Sequence, residues 1–241
     1  MCGLAGIVDL NGIDPGILLK MSNVLKHRGP DDEGFYVYYG EDDLMLKGDD
    51  TIPELKLLQH VKKAENKKPI IGLIHRRLSI IDIDYTGHQP MQLYNHEICI
   101  VYNGEIYNYL ELKEQLINKG YKFRSSSDTE VILASYVEWG CSCVKYFMGM
   151  WAFVIFDIRN NILFLSRDRF GIKPLYYYWG SDKFLFASEV KALIATDIVQ
   201  PKANIKTSIE YLLFGSASDS NFNLYNEIQT VPPGCNILFH I

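Results

Sequence analysis

Short apolar runs recur along the chain and are separated by clusters of Gly, Pro, Asn and Asp. Runs of about four to eight residues that are rich in β-branched and aromatic residues and bounded by turn residues are typical of β-strands. They occupy residues 3–10, 35–39, 70–75, 98–102, 151–157, 162–166, 175–179, 184–187 and 235–239. Two pairs of runs, on either side of residues 159–161 and 180–182, predict antiparallel hairpins.

Apolar residues at helical spacing and helix-boundary residues mark a second kind of element. Asp14-Pro15 opens a helix, and Ser127-Asp128-Thr129-Glu130 forms a capping box at the start of another. The predicted helices cover residues 14–23, 109–119, 127–139, 190–195 and 209–214. Strands and helices each come in clusters, and the hairpins are antiparallel. The pattern therefore favours a single α+β domain in which helices cover packed sheets.

The composition is that of a soluble globular protein with a substantial core. Of the 241 residues, 48% are apolar and 22% are charged. The formal net charge of −5 argues against a nucleic-acid-binding surface. No apolar run approaches the ~20 residues that a membrane-spanning helix needs, and no secretory signal pattern opens the chain. We therefore expect a cytoplasmic protein without nucleic-acid or membrane partners.

The five cysteines are sparse and odd in number. None has the paired spacing of a zinc site, so no metal is expected. Cys99 and Cys235 are predicted to lie buried in strands, and Cys141 and Cys143 to lie at a helix end without special chemistry. Cys2 stands apart, because removal of Met1 would make it the amino-terminal residue.

An amino-terminal Cys2 would carry a thiol, with a reference pKa of about 8.5, beside an α-amine of about 7.7–8.0. Nucleophile and base would then come from one residue, as in catalysis by amino-terminal nucleophiles. Judged by its position alone, Cys2 would be an ordinary small apolar residue. Gly3 and Gly6 in the strand that follows indicate the close approach of another backbone or of a ligand.

Several polar segments are predicted to be ordinary surface structure when each is taken alone. Residues 26–34 are predicted to form a loop, and residues 41–69 a charged, partly helical excursion on the surface. Arg76-Arg77 at a strand end is most often a surface pair, and Asn103-Gly104-Glu105 is most often a turn. Asp128 could simply stabilise the positive end of a helix.

Taken together and in order, seven motifs resemble the glutaminase domain of glutamine-dependent asparagine synthetases. The motifs are Cys-Gly-Leu-Ala-Gly-Ile at residues 2–7, His-Arg-Gly-Pro-Asp-Asp-Glu-Gly at 27–34, His-Arg-Arg-Leu-Ser-Ile-Ile-Asp at 75–82, Asn-Gly-Glu-Ile-Tyr-Asn at 103–108, Ser-Asp-Thr-Glu-Val-Ile-Leu at 127–133, Ser-Arg-Asp-Arg-Phe-Gly-Ile-Lys-Pro-Leu-Tyr at 166–176 and Phe-Ala-Ser-Glu-Val-Lys-Ala-Leu at 186–193. The wider group is the class II glutamine amidotransferases, which are N-terminal-nucleophile (Ntn) hydrolases. The resemblance implies an α+β fold with four αββα layers and two mainly antiparallel sheets.

The resemblance also implies roles for individual residues. Cys2 is expected to be the nucleophile, with Asn103 and Gly104 stabilising the oxyanion. The residues expected to bind glutamine are Arg77, Leu78, Ser79, Ile80, Ile81, Asn103, Gly104, Glu105 and Asp128. Arg77 would hold the carboxylate of glutamine, while Arg76 is expected to face solvent. His27 is expected to fix a loop, and Asp168 and Arg169 to make structural contacts in their turn.

The implied domain organisation is one glutamine amidotransferase domain over residues 1–241. Residues 41–69 are expected to be an insertion relative to the family, and the ATP-dependent synthetase domain is absent from this chain. The expected function is hydrolysis of glutamine to glutamate and ammonia through a Cys2 thioester, with the ammonia supplied to ATP-dependent asparagine synthesis from aspartate. No cofactor is expected for the glutaminase step, whereas ATP and Mg are expected only in the synthetase domain.

Two alternatives stay open. The ammonia could go to another acceptor, such as a sugar acid or a peptide carboxylate, or the chain could be a non-catalytic glutamine-binding interaction domain. The expected partners are glutamine and a synthetase domain in cis or in trans, and a homodimer stays open.

Overall fold

The computed structural model describes residues 1–66, 68–79, 84–93, 97–180, 182–215 and 223–241. Ile80 and Ile81, two of the expected glutamine-binding residues, lie outside the described residues. The strands are β1 (Gly3–Asp9), β2 (Asp32–Tyr38), β3 (Asp43–Leu46), β4 (Ile71–Arg77), β5 (Met91–Leu93), β6 (Ile98–Ile106), β7 (Gly149–Asp157), β8 (Ile162–Arg167), β9 (Tyr176–Trp179), β10 (Lys183–Ala187), β11 (Ile228–Thr230) and β12 (Asn236–His240). The helices are α1 (Pro15–Leu25), α2 (Tyr109–Asn118), α3 (Asp128–Trp139), α4 (Val190–Ile194) and α5 (Ile205–Phe214).

The strands form two antiparallel sheets. The first sheet has seven strands in the order β11-β9-β10-β1-β4-β2-β3, and the second has five in the order β12-β8-β7-β6-β5. Both predicted hairpins are confirmed, because β7 pairs with β8 and β9 pairs with β10 in antiparallel register. β1 lies in the middle of the first sheet, between β10 and β4.

Alternation along the strands separates three apolar layers. Leu4 and Leu73 of the first sheet pack against Val101 and Val154 of the second, which forms the core between the sheets. The opposite face of the first sheet packs on α1 and α4, and the opposite face of the second packs on α2 and α3. Successive strand residues point to opposite faces, so each strand supplies two layers. The expected αββα sandwich is confirmed.

The end of one polar segment that was predicted to be a loop, and the whole of another that was predicted to be a turn, lie in strands. β2 begins at Asp32, so the end of the predicted loop 26–34 belongs to the first sheet. β6 runs through Asn103 and Gly104 to Ile106, because β7 pairs with it along that whole length. The Asn-Gly pair is therefore held in a sheet and is not a turn.

The prediction of a surface excursion over residues 41–69 is wrong for part of that stretch. β3 pairs with β2 at the edge of the first sheet, and short 3₁₀ turns follow at Pro53–Leu55 and Val61–Asn66. Leu46, Val61 and Ala64 are buried in the layer beneath α1. This stretch supplies apolar side chains to the core, so its charged composition concealed its buried positions.

The expectation that Arg76 faces solvent is also wrong. Its guanidinium is fully buried and forms ion pairs with Glu33 at 2.8 Å and Asp50 at 2.7 Å. Nε of Arg76 also donates to the Ser22 hydroxyl of α1 at 2.7 Å. The face of β4 that carries Arg76 is covered by α1 and by the chain around Asp50. The Ser22 hydroxyl, the Asp50 carboxylate and the Glu33 carboxylate of the neighbouring strand β2 satisfy the charge.

The predictions for the cysteines are confirmed in part. Cys99 is fully buried in β6, whereas Cys235 is exposed and precedes β12. Across the described ranges, no helix is long and apolar enough to cross a membrane. α5 stands out on the surface, because none of its residues is buried although it carries Ile209, Leu212 and Phe214.

Candidate active site

A cavity of about 280 Å³ opens beside the start of β1, where β4, β6 and α3 come together. This volume is close to the lower end of the ~300–1,000 Å³ that is usual for small-molecule sites. Its lining residues are Met1, Cys2, Arg77, Leu78, Gly87, Gln89, Tyr102, Asn103, Gly104, Glu105, Ser127, Asp128, Thr129, Met150 and Lys173. We call it the Cys2 cavity. Seven of the residues expected from sequence to act on glutamine line it.

Cys2 is positioned by the pairing of β1 with β4. Gly3 lies opposite Arg76 in that register, which brings Cys2 to the level of Arg77. The Leu78 N–H donates to Cys2 Sγ at 3.4 Å, and Arg28 Nε donates to the Cys2 carbonyl at 2.9 Å. Arg28 is itself fixed by an ion pair with Glu189 at 2.8 Å. Cys2 is therefore held both at its sulfur and at its backbone carbonyl.

The charge state of the Cys2 thiol is set by opposing effects. Burial raises its pKa above the ordinary value. The Leu78 N–H, the positive amino terminus and the cations Arg77 and Lys173 act in the opposite direction and lower that pKa. A buried thiol needs such compensation if its thiolate is to form near neutral pH.

Asn103 and Gly104 line the cavity side by side, and each carries an N–H donor. Asn103 is buried, and its Nδ2 has no hydrogen-bond partner among the described residues. A Cβ on Gly104 would lie 2.3 Å from the Met150 carbonyl oxygen and 2.8 Å from Trp151 Cα. Only glycine lets β7 approach β6 this closely, which keeps the Gly104 backbone at the wall of the cavity.

Charged side chains of both signs line the rest of the cavity. Arg77 Nη1 donates to the Asp84 carbonyl at 2.9 Å, which fixes the guanidinium. Asp128 begins α3, and its Oδ2 accepts from the Tyr102 hydroxyl at 2.8 Å and from the Ile106 N–H at 3.0 Å. Burial raises the pKa of Asp128, and these two hydrogen bonds partly oppose that rise.

A hydrogen-bond network between the two sheets supports the cavity from behind. His75 Nε2 of β4 donates to the Tyr102 carbonyl of β6 at 2.8 Å, and Gln89 Oε1 accepts from the Tyr102 N–H at 2.7 Å. Burial lowers the pKa of His75 to about 3, while the bond to Tyr102 partly opposes this. Neutral His75 therefore fixes the backbone that leads into Asn103.

The structure does not bring every expected residue into the cavity. Ser79 does not line it, and its N–H donates instead to Asp31 Oδ2 at 2.8 Å. His27 pairs with Glu189 at 2.9 Å in an exposed position. Asp168 and Arg169 make structural contacts, the latter from Nη1 to the Phe147 carbonyl at 2.8 Å. These three contacts hold segments around the cavity in place.

Sequence reasoning missed several lining residues. Tyr102 and Gln89 carried no signal, because a tyrosine at the end of an apolar strand and a glutamine in a turn are common. Met150 lies opposite Glu105 in the β6–β7 register, which no sequence pattern shows. Lys173 lay inside one of the seven motifs, and only the fold reveals that it reaches the cavity.

The sandwich is that of the Ntn hydrolases that act as class II glutamine amidotransferases. Glutamine phosphoribosylpyrophosphate amidotransferase of Bacillus subtilis has a similar solved structure, with a TM-score of 0.68 and 26% sequence identity. The match covers 81% of this chain and 44% of that one. Residues 62–240 match the family model of a glutamine amidotransferase domain, and the chain belongs to that family.

Several curated relatives are asparagine synthetases. The chain is 37% identical over 257 residues to a protein of Methanocaldococcus jannaschii named provisionally as glutamine-hydrolysing asparagine synthetase 2, a match over the whole chain and 44% of that protein. It is 38% identical over 241 residues to glutamine-hydrolysing asparagine synthetase 1 of Bacillus subtilis, which covers 97% of the chain and 33% of that protein. The chain thus spans less than half the length of these relatives.

Proposed function

We propose that this chain hydrolyses glutamine to glutamate and ammonia through a thioester on Cys2. The observation that carries the proposal is that Cys2 shares one small cavity with paired donors at Asn103 and Gly104 and with charges of both signs. Membership of the glutamine amidotransferase family supports glutamine as the substrate. Removal of Met1 is part of the proposal, because it frees the α-amine that serves as base.

The chemistry begins with attack of the Cys2 thiolate on the side-chain carboxamide carbon of glutamine. The proton released from sulfur passes to the α-amine of Cys2. The carbonyl oxygen becomes an oxyanion that accepts hydrogen bonds from Asn103 Nδ2 and the Gly104 N–H. As the carbon–nitrogen bond breaks, the α-amine returns the proton to the leaving ammonia. Water then attacks the thioester and releases glutamate and the thiol.

The two ends of glutamine call for opposite charges. The planar fork of Arg77 suits the α-carboxylate in a two-point contact. Asp128 and Glu105 are the groups that we assign to the α-ammonium. The Leu78 backbone, already next to Cys2 Sγ, lines the same pocket. Ser79, with its N–H committed to Asp31, acts by holding that segment.

We further propose that the ammonia is used by an ATP-dependent synthetase region, in cis or in trans, that makes asparagine from aspartate in the cytoplasm. The support is the similarity to asparagine synthetases more than twice as long as the matched region. ATP and Mg would belong to that region, because the glutaminase step needs neither.

The test is glutamine hydrolysis by protein shown by mass spectrometry to begin at Cys2. We expect Cys2→Ala to abolish glutamate formation, while Cys141→Ala, which alters a half-buried cysteine outside the cavity, keeps it. Turnover retained in Cys2→Ala, or glutamine binding without turnover in the correctly processed protein, would refute the proposal. Amide-labelled glutamine given to the full-length protein with ATP and aspartate identifies the acceptor by where the label appears.

A further inference from the structure

A lysine without an anionic partner is buried in the wall of the Cys2 cavity. Lys173 is only 6% exposed. Its ammonium has no hydrogen-bond or ion-pair partner among the described residues. Arg77, the other cation in the wall, donates to the Asp84 carbonyl. No described carboxylate lies within ion-pair distance of this ammonium at the cavity wall, so it is available to stabilise an anion that forms inside the cavity.

The fold fixes the position of this lysine through the turn that precedes it. Asp168 is fully buried, and its carboxylate accepts from the backbone N–H groups of Phe170, Ile172 and Lys173 at 2.9–3.0 Å. Arg167 Nε donates to the Lys173 carbonyl at 2.8 Å. The backbone of Lys173 is therefore held on both of its sides.

Pairing each charge around Cys2 with an opposite charge identifies the anion that Lys173 would stabilise. The titratable and charged groups that line the cavity around Cys2 are the amino terminus, Arg77 of β4, Tyr102 and Glu105 of β6, Asp128 of α3 and Lys173. Arg28 also contacts Cys2, at its carbonyl, but its charge is paired with Glu189. When glutamine binds as proposed above, its carboxylate neutralises Arg77 and its ammonium is neutralised by the two carboxylates. Apart from the α-amine, which carries the transferred proton, Lys173 is then the remaining cation of the cavity wall, and the remaining anion is the one formed at Cys2.

We propose that Lys173 is the counter-charge of Cys2: across the cavity it stabilises the thiolate and then the negative charge that moves from sulfur to the oxyanion. Lys173 thus acts by its charge alone, first on the sulfur and then on the oxyanion, and no proton leaves or reaches its ammonium. Its catalytic consequence rests on the proposed function, whereas its effect on the thiol does not. The positive charge of Lys173 lowers the pKa of Cys2, in agreement with this role.

The first measurement is the rate of Cys2 alkylation by iodoacetamide as a function of pH, followed by mass spectrometry of the amino-terminal peptide. In Lys173→Met the thiolate loses its counter-charge, so the midpoint should move to higher pH by about half a unit to one unit. Lys173→Arg keeps the charge and should restore the midpoint. Lys145→Met removes an exposed lysine outside the cavity and should leave the midpoint unchanged.

The second measurement is glutaminase activity. Near pH 7 we expect Lys173→Met to lower kcat about three- to tenfold with little change in KM, and higher pH to recover part of the loss. Lys173→Gln gives a second neutral variant if the methionine variant does not fold. An unchanged alkylation midpoint in a folded neutral variant overturns the proposal, as does a rise in KM alone. If wild-type protein lacks glutaminase activity, the proposed function fails while the alkylation result still decides the role of Lys173.

Discussion

At the scale of single residues, the alternation along β4 separates two adjacent arginines into different roles. His75 and Arg77 lie on the face that meets the second sheet and the Cys2 cavity, and Arg76 lies on the face beneath α1. The sequence could predict which arginine reaches the cavity, because the motif and the strand period agree. It could not predict the burial of Arg76, because Glu33, Asp50 and Ser22 come from distant segments.

Asp128 gives a pH-dependent prediction at this scale. Its carboxylate is deprotonated only above a raised pKa, so protonation as pH falls removes the charge that we assign to the ammonium of glutamine. We expect the KM for glutamine to rise as pH falls through that pKa. Asp128→Asn should raise KM at least tenfold at neutral pH and flatten this part of the pH profile, since a charged hydrogen bond contributes about 1.5–3 kcal/mol.

The measurement is steady-state glutaminase kinetics from neutral to acidic pH. The Glu111→Gln variant removes an exposed carboxylate of α2 and should match the wild type. A KM for Asp128→Asn equal to that of the wild type would place the ammonium elsewhere.

At the scale of elements, most strands and helices could be predicted from apolar runs and capping residues. The length of β6 could not, because Asn-Gly has turn chemistry and only the pairing with β7 keeps it extended. The N-cap of α3 was predicted correctly at Ser127, whose side chain accepts from the Thr129 N–H, but the reciprocal half of the predicted capping box is not formed. Glu130 instead binds the backbone of Arg124 and Ser125, so local sequence foretold the cap but not its second partner.

The hydrogen bond from His75 of β4 to Tyr102 of β6 predicts how the stability of the protein depends on pH. The pKa of His75 is about 3 in the folded protein and close to 6.5 when unfolded, so the unfolded state binds the extra proton between these values. The contribution of neutral His75 is complete above about pH 6.5 and declines as pH falls toward 3, by up to about 1.4 kcal/mol per pH unit.

We expect His75→Asn to lower the free energy of unfolding by about 1–3 kcal/mol at pH 7, through the lost bond to Tyr102. Its deficit relative to wild type should shrink as pH falls from 6.5 to 4.5. Urea unfolding at several pH values checks this, with the exposed His240→Asn as control. A deficit that stays constant over this range would show that the His75 proton is not what links stability to pH.

At the scale of the whole molecule, the stretch 41–69 shows how a charged sequence can belong to the core. The Glu33 carboxylate accepts from the Asp50 N–H at 2.7 Å, and the Asp32 carboxylate accepts from the Ile52 N–H at 3.1 Å. These bonds join the stretch to β2. Because β2 pairs with β4, the stretch lies one strand away from Arg77, which lines the cavity. Loss of this stretch would expose the buried Arg76–Glu33 pair.

A comparison of two leucines in this stretch tests whether the stretch contributes to the core. Leu46 is fully buried beneath α1, whereas Leu57 is 93% exposed. Leu46→Ala should lower the free energy of unfolding by about 2–5 kcal/mol, because it removes buried methyl groups and leaves a cavity. Leu57→Ala should change it by no more than about 0.5 kcal/mol. Urea unfolding of both variants measures the difference, and equal small effects would mean that the stretch is attached to the surface without contributing to the core.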